Sequence, residues 1–134
     1  MIAVDTNVLV RYFVNDDRRQ AARARALIEE ALGQGDQIYV GLVVLVELLW
    51  VLEYLYGFTR KEIADVASDI LSRSCFHVQN RDPVEHALKA FSRGKADFSD
   101  YVSTFLAGQF SNCPLHTFDK KCKEPDLFVR LGRR

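Results

Sequence analysis

The chain has 134 residues, of which 49% are hydrophobic and 27% charged, the balance of an ordinary globular domain that can bury a core of its own. Lysine plus arginine equals aspartate plus glutamate at 18 each, so no global field recruits nucleic acid, and any such binding must come from local basic patches. Cys75, Cys113 and Cys122 are odd in number and lack a Cys-x-x-Cys spacing, so they indicate neither a disulfide framework nor a zinc site. The cysteine pattern predicts a protein of the reducing cytoplasm. The longest apolar stretch, residues 38–56, is interrupted by a glycine and two glutamates, which argues against a membrane span.

The amino terminus combines a strand with a turn that carries a carboxylate. Residues 2–4 are apolar and mostly β-branched, which favours a buried strand of a parallel sheet. Asp5, Thr6 and Asn7 follow at once, and each favours a turn or a helix N-cap before apolar side chains recur at helical spacing. Ligands of open α/β sheets bind at the carboxyl ends of the strands. Asp5 is therefore either a site residue or only the cap of the following helix.

Strands and helices alternate along the rest of the chain. Short apolar runs predict strands at residues 38–40, 76–78, 115–118 and 127–131. Helical spacing, caps and stop residues predict helices at residues 18–32, 42–56, 60–72 and 82–93, and Asp97 or Ser99 is predicted to cap a further helix that ends near Phe110. This alternation predicts an α/β fold: a three-layer α/β/α domain over residues 1–134 with a mostly parallel central sheet of four to five strands.

Two local patterns give more detailed predictions. Thr59 and Glu62 have the spacing of a capping box at the start of the helix 60–72. The helix 18–32 is expected to turn its small and apolar residues towards the core, namely Ala22, Ala26, Leu27 and Ala31.

The predicted helix 42–56 is apolar on nearly every face. Such a helix is buried on all sides, and in a small domain one side would pack on the sheet while another faces a second copy of the chain. We therefore expect a homodimer. Glu47 lies inside this helix, and its neighbours three and four residues away offer no cation. Its carboxylate must be exposed, protonated or paired with a group from elsewhere in the chain.

Other acids recur where strands end and helices begin. Asp5 and Asp119 each follow an apolar run directly, whereas Asp97 and Asp100 are three residues apart and share a helix face. Each acid has a purely structural alternative as a cap or a solvated charge. Acids at the ends of parallel strands nevertheless converge on one edge, where they repel one another unless a cation joins them. Carboxylate oxygens without a His or Cys ligand set favour Mg²⁺ or Mn²⁺ over zinc.

Four motifs occur in order over the whole chain: VDTNVLVRYF, VELLWVL, ADFSDYV and TFDKK. Together they resemble the PIN-domain nucleases, and they look closest to the VapC-type toxins of bacterial and archaeal toxin–antitoxin operons. No single motif is specific, and the joint order of all four carries the resemblance. One departure is His116 before Thr117, where an apolar strand residue is more usual.

The resemblance implies a Mg²⁺- or Mn²⁺-dependent endoribonuclease that is the toxin of a toxin–antitoxin pair and is controlled by a small antitoxin protein. The acids that match the family's catalytic positions are Asp5, Glu47, Asp100 and Asp119, with Asp97 as an additional acid. Three of them would hold one or two metal ions that activate water for in-line attack: Asp5, Asp100 and Asp119. Glu47 would hold a water or a second ion. The side chains implied to orient these carboxylates are Thr6, Asn7 and Thr117.

Five basic residues lie near these motifs in sequence, and they are candidates for contacts with RNA phosphates: Arg11, Arg93, Lys95, Lys120 and Lys121. For each of them alone, a solvated surface charge is the plainer interpretation.

Three other classes of α/β protein compete with the nuclease. A phospho-acceptor domain needs an acidic pair at the end of the first strand and a late lysine, but Asp5 stands alone and Asp119 holds the late position. A haloacid-dehalogenase-like phosphatase needs a second acid where Asn7 stands. A binding module without catalysis is disfavoured because all the acids are present.

Overall fold

A computed structural model describes residues 1–132, and the chain divides into two compact units, Met1–Gln79 and Asn80–Arg134. Each unit contains α-helices and a small sheet of parallel strands. The α/β class and the parallel pairing of the strands are therefore confirmed. That residues 1–134 form a single domain stays a prediction.

The first unit holds three strands and four helices in alternation. Its strands are β1 (Ile2–Ala3), β2 (Ile38–Val40) and β3 (Phe76–Val78). Its helices are α1 (Thr6–Phe13), α2 (Arg18–Gly33), α3 (Leu42–Tyr54) and α4 (Arg60–Ser72). The strands form one parallel sheet in the order β1-β2-β3, with Ile38 opposite both Ile2 and Phe76. Parallel pairing of consecutive strands requires long crossover connections, and in this unit helices form them.

The second unit holds two helices and two strands. They are α5 (Arg81–Arg93), α6 (Phe98–Ala107), β4 (Leu115–Thr117) and β5 (Phe128–Arg130). The two strands pair in parallel, and α5 packs against α6. All five predicted strands are thus present, but they are divided into sheets of three and two strands rather than joined in one sheet of four to five.

The predicted capping box at α4 is confirmed in full. The Thr59 hydroxyl accepts a hydrogen bond from the Glu62 backbone N–H at 3.2 Å, and the Glu62 carboxylate accepts one from the Thr59 backbone N–H at 2.8 Å. These bonds satisfy two donors that a helix start leaves unpaired. Gly57 adopts a left-handed backbone (φ 70°) after α3, a conformation that glycine reaches without steric cost.

The predicted inward face of α2 is wrong apart from Ala31. The buried residues are Ala21, Ala24, Ile28 and Ala31, whereas Ala22 and Ala26 are exposed and Leu27 keeps 41% of its surface accessible. Packing around Ile28 decides the face, because a helix rich in Ala and Arg offers more than one stripe of small residues.

The outer face of α3 is exposed in the single chain, so burial of this helix on all sides depends on the predicted second copy and stays a prediction. Leu45, Leu48, Leu49 and Leu52 are buried, and each contributes about 1.5–3 kcal/mol by leaving water. Val43, Trp50 and Tyr54 lie on another side of the helix and are 80%, 54% and 50% exposed. No helix among residues 1–132 combines the length and the apolar run that crossing a bilayer requires.

Candidate active site

Asp5 ends β1 and caps α1. Its extended backbone (φ −94°, ψ 179°) precedes the first helical turn, and its Oδ1 accepts a hydrogen bond from the Val8 backbone N–H at 3.0 Å. The side chain is exposed. The two alternatives for Asp5 are therefore compatible, since one carboxylate oxygen caps the helix while the other makes no hydrogen bond within the described chain.

Glu47 is exposed on α3, so its position in an apolar helix leaves no buried charge. The buried Thr6 hydroxyl donates a hydrogen bond of 2.5 Å to Glu47 Oε1. A hydroxyl bound to an ionised carboxylate makes a short, charge-assisted bond that fixes the orientation of the acceptor. Because Thr6 follows Asp5 directly and α1 packs on α3, one helix start both carries an acid and orients a second one.

In the second unit, Asp97 occupies the N-cap position of α6 but does not cap it with its side chain. The Asp97 carboxylate instead pairs with the Lys121 ammonium at 3.1 Å. The charge of Lys121 is therefore directed at an acid of the same unit.

Asp100 and Asp119 form the centre of this acidic group, together with Cys122. One potential ligand atom of each of these three residues lies within 4.8 Å of the others. Both aspartates are half-buried, whereas Cys122 is only 1% exposed, and its thiol lies 3.6 Å from Asp100 Oδ2 as a hydrogen-bond donor. Asp100 lies in the first turn of α6 and Asp119 follows β4 closely, so the strand–helix packing of this unit brings them together.

Burial raises the pKa of the Asp100 carboxyl, and the charges of Asp97 and Asp119 raise it further. The thiol of Cys122 and the charge of Lys121 act in the opposite direction. The metal-free acids are thus partly desolvated and repel one another, which is the electrostatic condition that a bound cation relieves.

The Cys122 thiol stays protonated at neutral pH. Burial raises its pKa to about 12, and the neighbouring carboxylates of Asp100 and Asp119 add to the effect. A neutral thiol acts here as a weak hydrogen-bond donor to Asp100 and is a poor ligand for a hard cation.

A short turn fixes the direction of the Asp119 side chain. The Asp119 backbone N–H donates to the Thr117 hydroxyl at 3.0 Å, and Asp119 Oδ1 accepts a hydrogen bond from the Lys121 backbone N–H at 2.9 Å. Asp and Thr side chains form such local turns readily. Thr117 and Asp119 therefore form one local structure after β4.

Tyr101 supports the segment that leads into Asp97. It is fully buried next to Asp100, and its hydroxyl donates to Glu124 Oε2 at 2.5 Å and accepts from the Ala96 backbone N–H at 3.4 Å. A Cβ atom at Gly94 would overlap the Tyr101 hydroxyl and the Glu124 carboxylate, so a larger residue here would have to displace both side chains. Neither Tyr101 nor Glu124 stood out in the sequence.

Comparison with known proteins identifies the family of the chain. A family model described as PIN domain matches residues 2–126 of the chain. The chain belongs to the PIN domain family. It is also similar to a VapC ribonuclease of Aquifex aeolicus (strain VF5), with which it shares 25% identity over 124 residues, 92% of this chain and 91% of the relative.

The donor set of this PIN domain fits the hard divalent cation that the family generally uses. Asp100 and Asp119 offer carboxylate oxygens, the ligands that Mg²⁺ and Mn²⁺ prefer, and their mutual repulsion supplies a reason to bind one. Cys122 is the residue that sequence reasoning missed. Its only signal was its spacing of three residues from Asp119, which cannot reveal a contact with Asp100.

The five basic residues proposed for RNA have different surroundings in this PIN domain. Arg11 and Lys121 form ion pairs with Asp16 and Asp97, respectively. Arg93, Lys95 and Lys120 have exposed side chains, as surface cations normally do. Arg23 on α2, which sequence reasoning did not single out, lines a cleft beside α1.

Proposed function

We propose that this PIN domain protein is a Mg²⁺- or Mn²⁺-dependent endoribonuclease and acts as the toxin of a toxin–antitoxin pair. The observation that carries the proposal is the approach of Asp100, Asp119 and Cys122 to within 4.8 Å in a chain of this family. The similarity to a VapC ribonuclease supports RNA as the substrate.

In the proposed mechanism, the cation would be held by Asp5, Asp100 and Asp119, and Glu47 and Asp97 would be further acids of the same reaction. When bound, the cation supplies positive charge to the phosphate oxygens and lowers the pKa of water. Thr6 holds the Glu47 carboxylate in one orientation, and Thr117 shapes the turn that orients Asp119. Asn7 is exposed two residues after Asp5, where it is available to orient that carboxylate or the substrate.

Contacts with RNA phosphates are assigned in this proposal to Arg11, Arg93, Lys95, Lys120 and Lys121. Cationic side chains position the RNA backbone without reading its sequence. The charges of Arg11 and Lys121 are partly offset by their carboxylate partners, so we expect smaller effects at these two positions than at the other three.

The test is cleavage of a labelled single-stranded RNA by purified protein, with Mg²⁺ or Mn²⁺ and with EDTA. We expect cleavage with either metal and none with EDTA, and the Asp119→Asn variant should be inactive. Cleavage that persists in EDTA would refute the metal-dependent mechanism. Incubation with acetyl phosphate tests the phospho-acceptor alternative, for which we expect no labelling.

The outer face of α3 supports a homodimer as part of the proposal. The rings of Trp50 and Tyr54 contact each other in a tilted arrangement with centroids 5.2 Å apart, and both are exposed with Val43 on the same helix. Exposed aromatic side chains are enriched at protein interfaces. Sedimentation at tens of micromolar, an ordinary range for specific interfaces, should show a dimer, and a monomer would contradict this part.

A small antitoxin protein is the second proposed partner. An arginine or lysine of such a partner would neutralise the carboxylates and compete with the cation, because a guanidinium can bind two carboxylate oxygens at once. Co-expression with the adjacent reading frame, followed by pull-down and the cleavage assay, tests this. A partner that binds but leaves cleavage unchanged would contradict it.

A further inference from the structure

The first unit contains an open cleft between α1 and α2, outside the acidic residues. Its volume is about 410 Å³, within the usual range of ligand sites. The polar residues of the cleft are Asn7, Arg11, Gln20 and Arg23, and its apolar floor includes Val8 and Leu27. We call this feature the α1–α2 cleft.

Arg11 is held rigidly at one wall of the α1–α2 cleft. Its Nε donates to Gln20 Oε1 at 2.6 Å, and its Nη1 donates to Asp16 at 3.0 Å and to the Tyr56 hydroxyl at 3.1 Å. The Tyr56 hydroxyl in turn donates to the other oxygen of Asp16 at 2.9 Å. The remaining guanidinium nitrogen, Nη2, has no partner within residues 1–132, so its donors are available to a ligand.

This network also determines which way the side-chain amide of Gln20 is oriented. Arginine only donates hydrogen bonds, so the amide atom facing Arg11 must be the oxygen, and the Gln20 NH₂ group is left as a donor. The wall formed by Arg11 and Gln20 therefore presents donors alone. A ligand that matches it must be rich in acceptors.

Arg23 adds a positive charge that the described chain does not neutralise. It is exposed on α2, lines the cleft, and forms no ion pair or hydrogen bond with the described residues. Asp16 neutralises the charge of Arg11, whereas the charge of Arg23 is not neutralised by any described residue. A donor-rich, net positive cleft with an apolar floor fits a phosphodiester joined to a flat base that offers carbonyl acceptors.

The cleft begins at the helix turn that carries Asp5. Asn7 lies in the cleft two residues after Asp5, and Val8, on its floor, donates the backbone hydrogen bond that holds the Asp5 carboxylate. We propose that the α1–α2 cleft binds a nucleotide of single-stranded RNA next to the cleaved phosphodiester. The proposal rests on the proposed ribonuclease function and assigns to that function a substrate-positioning residue, Arg23.

The test measures binding separately from cleavage. Fluorescence anisotropy of a short, labelled, mixed-sequence single-stranded RNA in EDTA gives the Kd of intact RNA. Arg23→Ala should raise Kd about five- to tenfold, as expected for a lost charged phosphate contact. The slope of log Kd against log salt should fall by about 0.7, the value for one phosphate contact with a single strand.

Arg25→Ala is the matched control, because it removes the same charge from an exposed position of α2 that does not line the cleft. It should leave Kd within about twofold. Gln20→Glu keeps an acceptor for Arg11 but replaces the NH₂ donor with a carboxylate, so it should weaken RNA binding while thermal melting stays close to that of the wild type.

Three outcomes would overturn the proposal. If Arg23→Ala and Arg25→Ala bind and cleave RNA alike while the wild type is an active ribonuclease, the cleft proposal fails and the proposed function stands. If Arg23→Ala binds RNA as the wild type does but loses a co-expressed protein partner, the cleft belongs to that partner. If the wild type neither binds nor cleaves RNA, the proposed function fails together with the cleft.

Discussion

The two units hold their acids in different ways. Asp5 and Glu47 are exposed, and each accepts a hydrogen bond from α1, through the Val8 backbone and the Thr6 hydroxyl. Asp100 is half-buried, and its pKa is raised by burial and by neighbouring carboxylates. The first pair is oriented by hydrogen-bond donors that are present without metal. In the second group, Lys121 supplies donors to Asp97 and Asp119, but Asp100 receives only a weak thiol donor. Its charge is therefore less well compensated, and this group depends more on a cation.

The largest expected effect tests the first pair. Asp5→Asn should reduce metal-dependent RNA cleavage about 100-fold or more, because the charge is lost at a position proposed to hold the cation. Asparagine caps helices as well as aspartate does, so α1 and the melting temperature should be preserved. Asp126→Asn, at an exposed acid of the second unit, is the control and should keep full activity. Equal activity of both variants would show that Asp5 is only a cap.

Thr6→Val should reduce cleavage about tenfold, because the Glu47 carboxylate loses the donor that orients it. Valine has nearly the same shape, and Thr6 is buried, so packing should be retained. Thr6→Ser restores the hydroxyl and should recover most of the activity. If Thr6→Ser does not restore cleavage, the defect comes from altered packing, and the Thr6 hydroxyl does not orient Glu47 for the reaction.

Asp100→Asn should raise the melting temperature of the metal-free protein by about 3 °C at neutral pH. The folded-state pKa of Asp100 lies above its ordinary value of 3.8, so folding favours the protonated acid and the ionised acid costs stability. The loss of folding stability caused by ionised Asp100 is complete at a pH above its folded-state pKa. It disappears as the pH falls below the ordinary pKa of 3.8. The increase in melting temperature caused by Asp100→Asn should therefore vanish at acidic pH.

The same variant should lose the stabilisation that millimolar Mg²⁺ gives to the wild type. Melting curves in EDTA and in Mg²⁺ measure both effects. Glu29→Gln, at an exposed acid of α2, serves as the control and should keep the metal response. A metal-free Asp100→Asn variant that melts below the wild type would contradict the account of repulsion.

The smallest expected effect is a difference in reactivity between two thiols of the second unit, those of Cys113 and Cys122. Cys113 is exposed and should react with a thiol reagent at mildly alkaline pH, whereas Cys122, buried and with its pKa raised to about 12, should react only after unfolding. Mass spectrometry of labelled peptides distinguishes the two sites. Rapid native labelling of Cys122 would show that the half-buried environment of Asp100 is more open than described.

Local sequence patterns determined much of the fold and pointed to the acids. The Thr59–Glu62 capping box and the alternation of strands with helices depend on residues a few positions apart, so the sequence specifies them without knowledge of packing. The four motifs were sufficient to suggest the PIN domain family, which the match over residues 2–126 confirmed. The roles of the individual acids stay predictions.

Only the tertiary structure decided how the acids are surrounded. Thr6 and Glu47 are 41 positions apart, Asp97 and Lys121 are 24 apart, and Cys122 reaches Asp100 across 22. Burial and charge pairing depend on which distant segments meet, and no local pattern encodes that. The same reason explains why Ile28 rather than Leu27 faces inward on α2: the inward face of a helix is chosen by what packs against it.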